Sequence, residues 1–96
     1  MKIKIFPSFS EKLKDQVDFI AKDKPAAARK FKSEVLQRIR EISKMPLSHR
    51  KSIFFDREDI RDLIIKGYVV VYKINKKENA IEIFGFTKYE NDPFSK

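Results

Sequence analysis

The sequence predicts an α+β domain of order β-α-α-β-β-β, a helical hairpin packed on a small antiparallel sheet. Two apolar stripes at helical spacing fill the stretch between residues 9 and 42. After them come "LIIKGYVVVYKI" (63–74) and "IEIFGFTK" (81–88), both β-rich. A single small domain accommodates all of it, because 96 residues hold one core and not two.

"KIKIF" (2–6) alternates polar and apolar residues and reads as a short strand stopped by Pro7. Ser8 and Glu11 have the spacing of a capping box with Ser8 as N-cap. Phe9, Leu13, Val17 and Ile20 then form the apolar stripe of a first helix that runs to about Lys22. Asp23 followed by Pro25 marks a second helix start, and Ala28, Phe31, Val35, Ile39 and Ile42 carry its stripe as far as Pro46. So short a link makes the two helices antiparallel neighbours.

"PLSHRKS" (46–52) is a connection, "IFF" (53–55) an apolar run able to open the sheet, and "DREDI" (56–60) an acidic loop. Gly67 and the β-branched run Val69, Val70, Val71 disfavour a helix over residues 63–74. Lys66-Gly67 instead suits a two-residue hairpin turn, which makes Arg61–Ile65 and Tyr68–Ile74 adjacent antiparallel strands. Residues 68–71 are apolar on both faces, so the second strand is central in the sheet. "NKKEN" (75–79) turns the chain into a last strand over residues 80–88. Tyr68, Val70 and Tyr72 share one face of the central strand, and Val69 and Val71 the other.

Composition narrows the function classes. No apolar run approaches the roughly 20 residues that a bilayer span needs. "MKIKIFPSF" is too lysine-rich and too short for a signal peptide, and no cysteine occurs, so a cytoplasmic location with no membrane is expected. A lone His49 and the absence of a Gly-rich phosphate loop point to no metal and no cofactor. The net charge of +8 lies wholly in residues 1–51, with 14 Lys+Arg against 6 Asp+Glu, while residues 52–96 balance 8 against 8. That asymmetry favours an acidic protein or a nucleic acid as partner. Candidate binding cations are Lys12, Arg29, Lys30, Arg38, Arg40 and Arg50.

Catalytic candidates are few. Asp56, Glu58, Asp59 and Asp62 cluster in sequence, but an acidic loop is ordinarily solvated. A metal-free ribonuclease uses cations to stabilise the phosphate and a base to take the 2′-OH proton. Here that chemistry would draw on His49, Arg50, Arg61, Lys88 and Tyr89. Tyr68 and Tyr72 read as core residues with a hydroxyl at the rim.

The order of elements, with "FSEKLKDQVDFIAKDKPAAARKF", "IRDLIIKGYVVVYKI" and "IEIFGFTKYENDP", resembles the RelE/ParE superfamily of type II toxin–antitoxin toxins. Its most specific parts are the Lys24–Ala28 helix start, the "IRDL" and "GYVVVY" strands, and a final strand running into "DP". The resemblance implies a plasmid- or chromosome-encoded growth inhibitor silenced by a cognate antitoxin whose C-terminal part wraps it.

Two activities divide the superfamily. RelE-like members cleave mRNA in the ribosomal A site, whereas ParE-like members inhibit DNA gyrase. RelE-like nucleases tend to carry "GYRxxY", and Val69 stands where that arginine would be. Arg61, Lys88 and Tyr89 are the remaining catalytic equivalents on that reading. ParE-like members tend to have hydrophobic residues at these positions, so the resemblance is nearer the ParE branch, with DNA gyrase as expected target. The alternative is a RelE-like endoribonuclease acting on the ribosome and mRNA, and a third reading is a basic domain that binds nucleic acid non-specifically.

Overall fold

In the computed structural model, residues 1–89 are described, so the "DP" of the family resemblance lies outside them. The order is β1 (Lys2–Ile5), α1 (Pro7–Ala21), α2 (Pro25–Ile42), β2 (Arg50–Lys51), β3 (Ile60–Ile65), β4 (Tyr68–Asn75) and β5 (Ala80–Lys88). The five strands form one sheet in the order β1-β5-β4-β3-β2. All neighbours are antiparallel except β1, which pairs in parallel with β5. The α+β class and the central place of β4 hold, and the β3–β4 hairpin falls where the Lys66-Gly67 pair put it.

Both turn residues have positive φ, 50° at Lys66 and 82° at Gly67, as a hairpin turn of the I′ kind requires. Lys66 tolerates the left-handed conformation while its ammonium pairs with Glu34 on α2 at 2.9 Å. Space does not demand Gly67, since nothing lies within 4 Å of where a Cβ would sit; the backbone angle does. Gly85 is the opposite case, for a Cβ there would meet the Val71 Cβ at 3.0 Å. This close approach accompanies a β-bulge, in which Val71 faces Gly85 while Tyr72 faces Ile83, so Phe84 is the extra residue.

Two helix starts differ from the sequence expectation. α1 begins two residues earlier than a Ser8 cap allows, with Phe6 as N-cap and Pro7 in the first turn. The Phe6 N–H donates to the Ile83 carbonyl at 3.0 Å, and Ser8 uses its hydroxyl to bond the Phe84 carbonyl at 2.7 Å. Anchoring to β5 therefore wins over the local capping box. In α2 the N-cap is Lys24 and not Asp23, and no side chain caps it. The "IFF" run does not open the sheet either; β2 does, starting three residues earlier, and 53–55 are loop.

The helices cover one sheet face. Phe9, Leu13, Phe31, Val35, Ile39 and Ile42 pack there against Leu63, Val70, Tyr72, Ile81, Ile83 and Phe86. Phe31 sits 5.2 Å from Tyr68 and 6.5 Å from Phe86, ring centre to ring centre. Tyr72 is fully buried and donates its hydroxyl to the Pro46 carbonyl at 2.6 Å; burial pushes that hydroxyl's pKa far above its ordinary value.

The other face carries a second cluster of Ile60, Val69 and Val71, covered by Phe54 and Phe55 of the loop and by Phe84. Asp62 fastens that cover. Its side chain is fully buried, and one carboxylate oxygen accepts from Arg50 Nη2 at 3.0 Å and from the Ile53 N–H at 3.1 Å. Ser52 Oγ accepts the Phe54 N–H at 3.2 Å. Irregular chain thereby acquires partners for its backbone donors.

Three stability outcomes follow. Phe31→Ala is expected to cost about 3–5 kcal/mol in urea denaturation. Gly67→Val should lower the melting temperature because a β-branched residue resists positive φ, and an unchanged value would mean the turn is not under that constraint. Arg50→Ala should cost about 3 kcal/mol by stranding a buried carboxylate, and more than Asp62→Ala, because the freed guanidinium, already a third exposed, can reach water. The reverse order in the same denaturation series would refute the fastening role of the pair.

Candidate functional site

Strand alternation decides which of the expected residues can act together. Asp62 and Val69 point to the face covered by the loop, and Val69 is fully buried there. The position where a nuclease of this shape would present an arginine therefore meets apolar side chains, not solvent. Arg50 lies over the Tyr89 ring, 5.7 Å from its centre, while it holds Asp62. The Tyr89 N–H donates to the Gly67 carbonyl at 2.8 Å, which seats the ring at the end of the sheet.

Arg61 faces the other way, in register with Tyr72. Its guanidinium donates to the Glu58 and His49 carbonyls at 2.9 and 3.1 Å and to the Glu58 carboxylate at 3.1 Å. Only 14% of its side chain is exposed, so its donors serve the loop. Lys88 is in register with Tyr68, four residues along β4 from Tyr72, or about 13 Å at 3.3 Å per residue. Arg61, Lys88 and Tyr89 thus lie in three separate places: one end of the helix-side face, its other end, and the opposite face.

His49 packs edge-on against Tyr72, with ring centres 6.1 Å apart. Burial, and then the nearby Arg38 charge, hold its pKa below the ordinary histidine value, so it stands neutral. The carboxylates are equally committed. Lys51 binds Asp56 at 3.1 Å and Glu58 at 3.7 Å, and Arg57 binds Asp59 at 2.7 Å. Asp62 belongs to β3 and its buried pair, not to a solvated loop. Among the described residues, no three of His, Cys, Asp and Glu come together as a metal site would require.

The candidate binding cations do not share one face. Arg29 and Arg40, about three turns apart at 3.6 residues per turn, share a stripe of α2. Lys30 stands about 100° round the helix from Arg29, and Arg38 about 80° further. Arg38 and Arg40 line a groove of about 520 Å³ with Ile64, Ile65 and Lys66, between α2 and the end of β3. Arg38 is within 4.0 Å of Glu41, and Arg40 donates to Gln37 at 2.9 Å. Lys12, on α1, lines a separate hollow of about 410 Å³ with Phe19, Tyr68 and Lys88. Arg50 is engaged by Asp62.

The sequence reading passed over Phe19 and Lys66. Phe19 is 66% exposed. The signal was present, because a large aromatic residue beside the Phe9-Leu13-Val17-Ile20 stripe has no place in the core. Lys66 read only as a turn residue, although it also reaches Glu34 and closes a hollow.

Among the described residues no helix is long and apolar enough to cross a membrane. A comparison with individually characterised proteins found no match. Residues 3–93 match the family described as ParE toxin of type II toxin–antitoxin system, parDE. That match spans nearly all of a chain whose architecture is two helices on one face of a mostly antiparallel sheet. The chain belongs to the ParE toxin family of type II toxin–antitoxin systems.

Proposed function

We propose that this toxin acts in the cytoplasm as a binding protein that inhibits DNA gyrase, and that a cognate antitoxin holds it silent. The observation that carries the reading is the fate of Val69. It is fully buried under the Phe54–Phe55 cover, so that position offers no cation to a phosphate, and Arg50 on the same face is engaged by Asp62. The scattering of Arg61, Lys88 and Tyr89 supports the same conclusion. Losing one phosphate-stabilising donor costs about 10²–10³ in rate. A RelE-like nuclease is therefore the weaker reading.

The antitoxin is proposed to use the groove between α2 and β3. Arg38 and Arg40 supply positive charge there, and Ile64, 39% exposed, supplies apolar surface. An amphipathic segment with acidic residues suits that combination.

Purified toxin is expected to inhibit supercoiling by purified gyrase and to leave mRNA on translating ribosomes intact. Codon-positioned cleavage that disappears in Arg61→Ala or Tyr89→Phe would reverse the ranking. The antitoxin association rate, followed by stopped-flow fluorescence, should fall as salt rises. A rate insensitive to salt would mean the basic groove plays no part in capture.

A further inference from the structure

Two hollows meet at one end of the molecule, where the β3–β4 turn and the end of β5 approach the helices. One is lined by Lys12, Phe19, Tyr68 and Lys88, the other by Lys30, Phe31, Lys66 and Tyr68. Tyr68 belongs to both, so they form one trough with that residue at its centre, about 410 Å³ on one side and 320 Å³ on the other. Four lysines border it against Asp15 and Glu34, and Glu34 is already paired with Lys66. Phe19 stands on the rim and contributes nothing to the core.

We propose that this trough is the surface through which the toxin grips its target, and that its occupant is an acidic protein segment bearing an apolar anchor. The inference rests on the reading of the chain as a toxin that works by binding.

Charge complementarity selects the sign of the partner. The lysine border is net positive, and these four side chains are exposed. Ring geometry selects its class. A single-stranded nucleic acid needs open aromatic faces on which to stack bases. Tyr68 is already engaged by two rings, Phe86 stacked on it at 5.2 Å with ring planes 5° apart and Phe31 at 5.2 Å at a tilt. That leaves the exposed Phe19 as a single open ring at the trough and not a row of them. Tyr68 lines both hollows, and burial raises the pKa of its hydroxyl, so it remains a neutral donor. An exposed aromatic on the rim, a hydroxyl donor at the centre and a charged border are the anatomy of a protein interface.

The trough adjoins the Arg38–Arg40 groove, with which it shares Glu34 and Lys66, but Lys12, Phe19 and Lys88 line the trough alone. Target and antitoxin contacts can therefore be separated by mutation.

The test uses purified full-length toxin with purified gyrase as the probe. Phe19→Ser and the double variant Lys12→Glu/Lys88→Glu alter exposed residues, and unchanged melting curves will verify that they fold. Lys77→Glu, in the turn before β5, is the control for a charge reversal outside the trough. Each trough variant should need about tenfold more protein to inhibit supercoiling, with Lys77→Glu equal to the unaltered toxin. Trough variants as potent as the unaltered toxin overturn the proposal.

Should the unaltered toxin leave gyrase untouched, the gyrase reading fails, and growth arrest on induction becomes the measure of the trough. Loss of arrest at equal soluble level then sustains the surface, and retained arrest overturns it. Fluorescence polarisation with a labelled single-stranded DNA supplies the last arm. Binding that the same substitutions abolish would overturn the protein-segment assignment in favour of nucleic acid.

Discussion

Everything else in this fold is arranged around β4, which has no face that can meet water. Val69, Val70 and Val71 are consecutive and fully buried, so the strand needs cover on both sides at once. Burying such a side chain contributes about 1.5–3 kcal/mol, which a domain stable by only about 5–15 kcal/mol cannot forgo. The helical hairpin covers one side with regular structure whose backbone groups satisfy each other. The other side is covered by a loop, whose donors have to be satisfied individually. That difference explains the concentration of polar fastening around residues 50–62: Asp62 on Arg50 and the Ile53 N–H, Ser52 on the Phe54 N–H, and Arg61 on two loop carbonyls. The bulge at Phe84 serves the same end by adding a third phenylalanine to the loop-covered face.

Closing the second face has a functional corollary. A sheet that buries Val69 beneath phenylalanines cannot cradle a phosphate there, so positive charge is displaced to the periphery. Cations appear at the α2–β3 groove and at the end where the β3–β4 turn meets the helices. Binding at a rim, rather than chemistry at a centre, is what such a distribution suits.

Much of this was readable from residue spacing, and the exceptions share a cause. The helical stripes, the Lys66-Gly67 turn and the two-sided apolar character of β4 are local patterns, and tertiary contacts reinforced them. Ser8 misled because its capping-box spacing is local while its hydroxyl partner, the Phe84 carbonyl, lies 76 residues away. Ile53–Phe55 misled because an apolar run does not reveal that side chains of Asp62 and Ser52, not a neighbouring strand, will take its N–H groups. Asp62 itself looked like one more acid in a cluster; its alternation with Arg61 on a strand was the available clue to burial. The binding cations could be named from the sequence but not grouped, because which of them share a groove depends on where the sheet edge meets α2.

The parallel pairing of β1 with β5 ties the first strand to nearly the last. Lys2 is in register with Ala80, so closing this contact spans 78 residues and costs about 4 kcal/mol of chain entropy by the logarithmic loop law. During translation at about 5–20 residues per second, Lys2–Ile5 must wait several seconds for their partner to emerge. The α1 start waits with them, since the Phe6 N–H and Ser8 hydroxyl are both anchored on β5. A nascent chain can form its helices and its β3–β4 hairpin, but not the edge that joins Lys12 to Lys88. The α1–β5 end of the molecule, where the proposed target surface lies, is therefore completed late and all together.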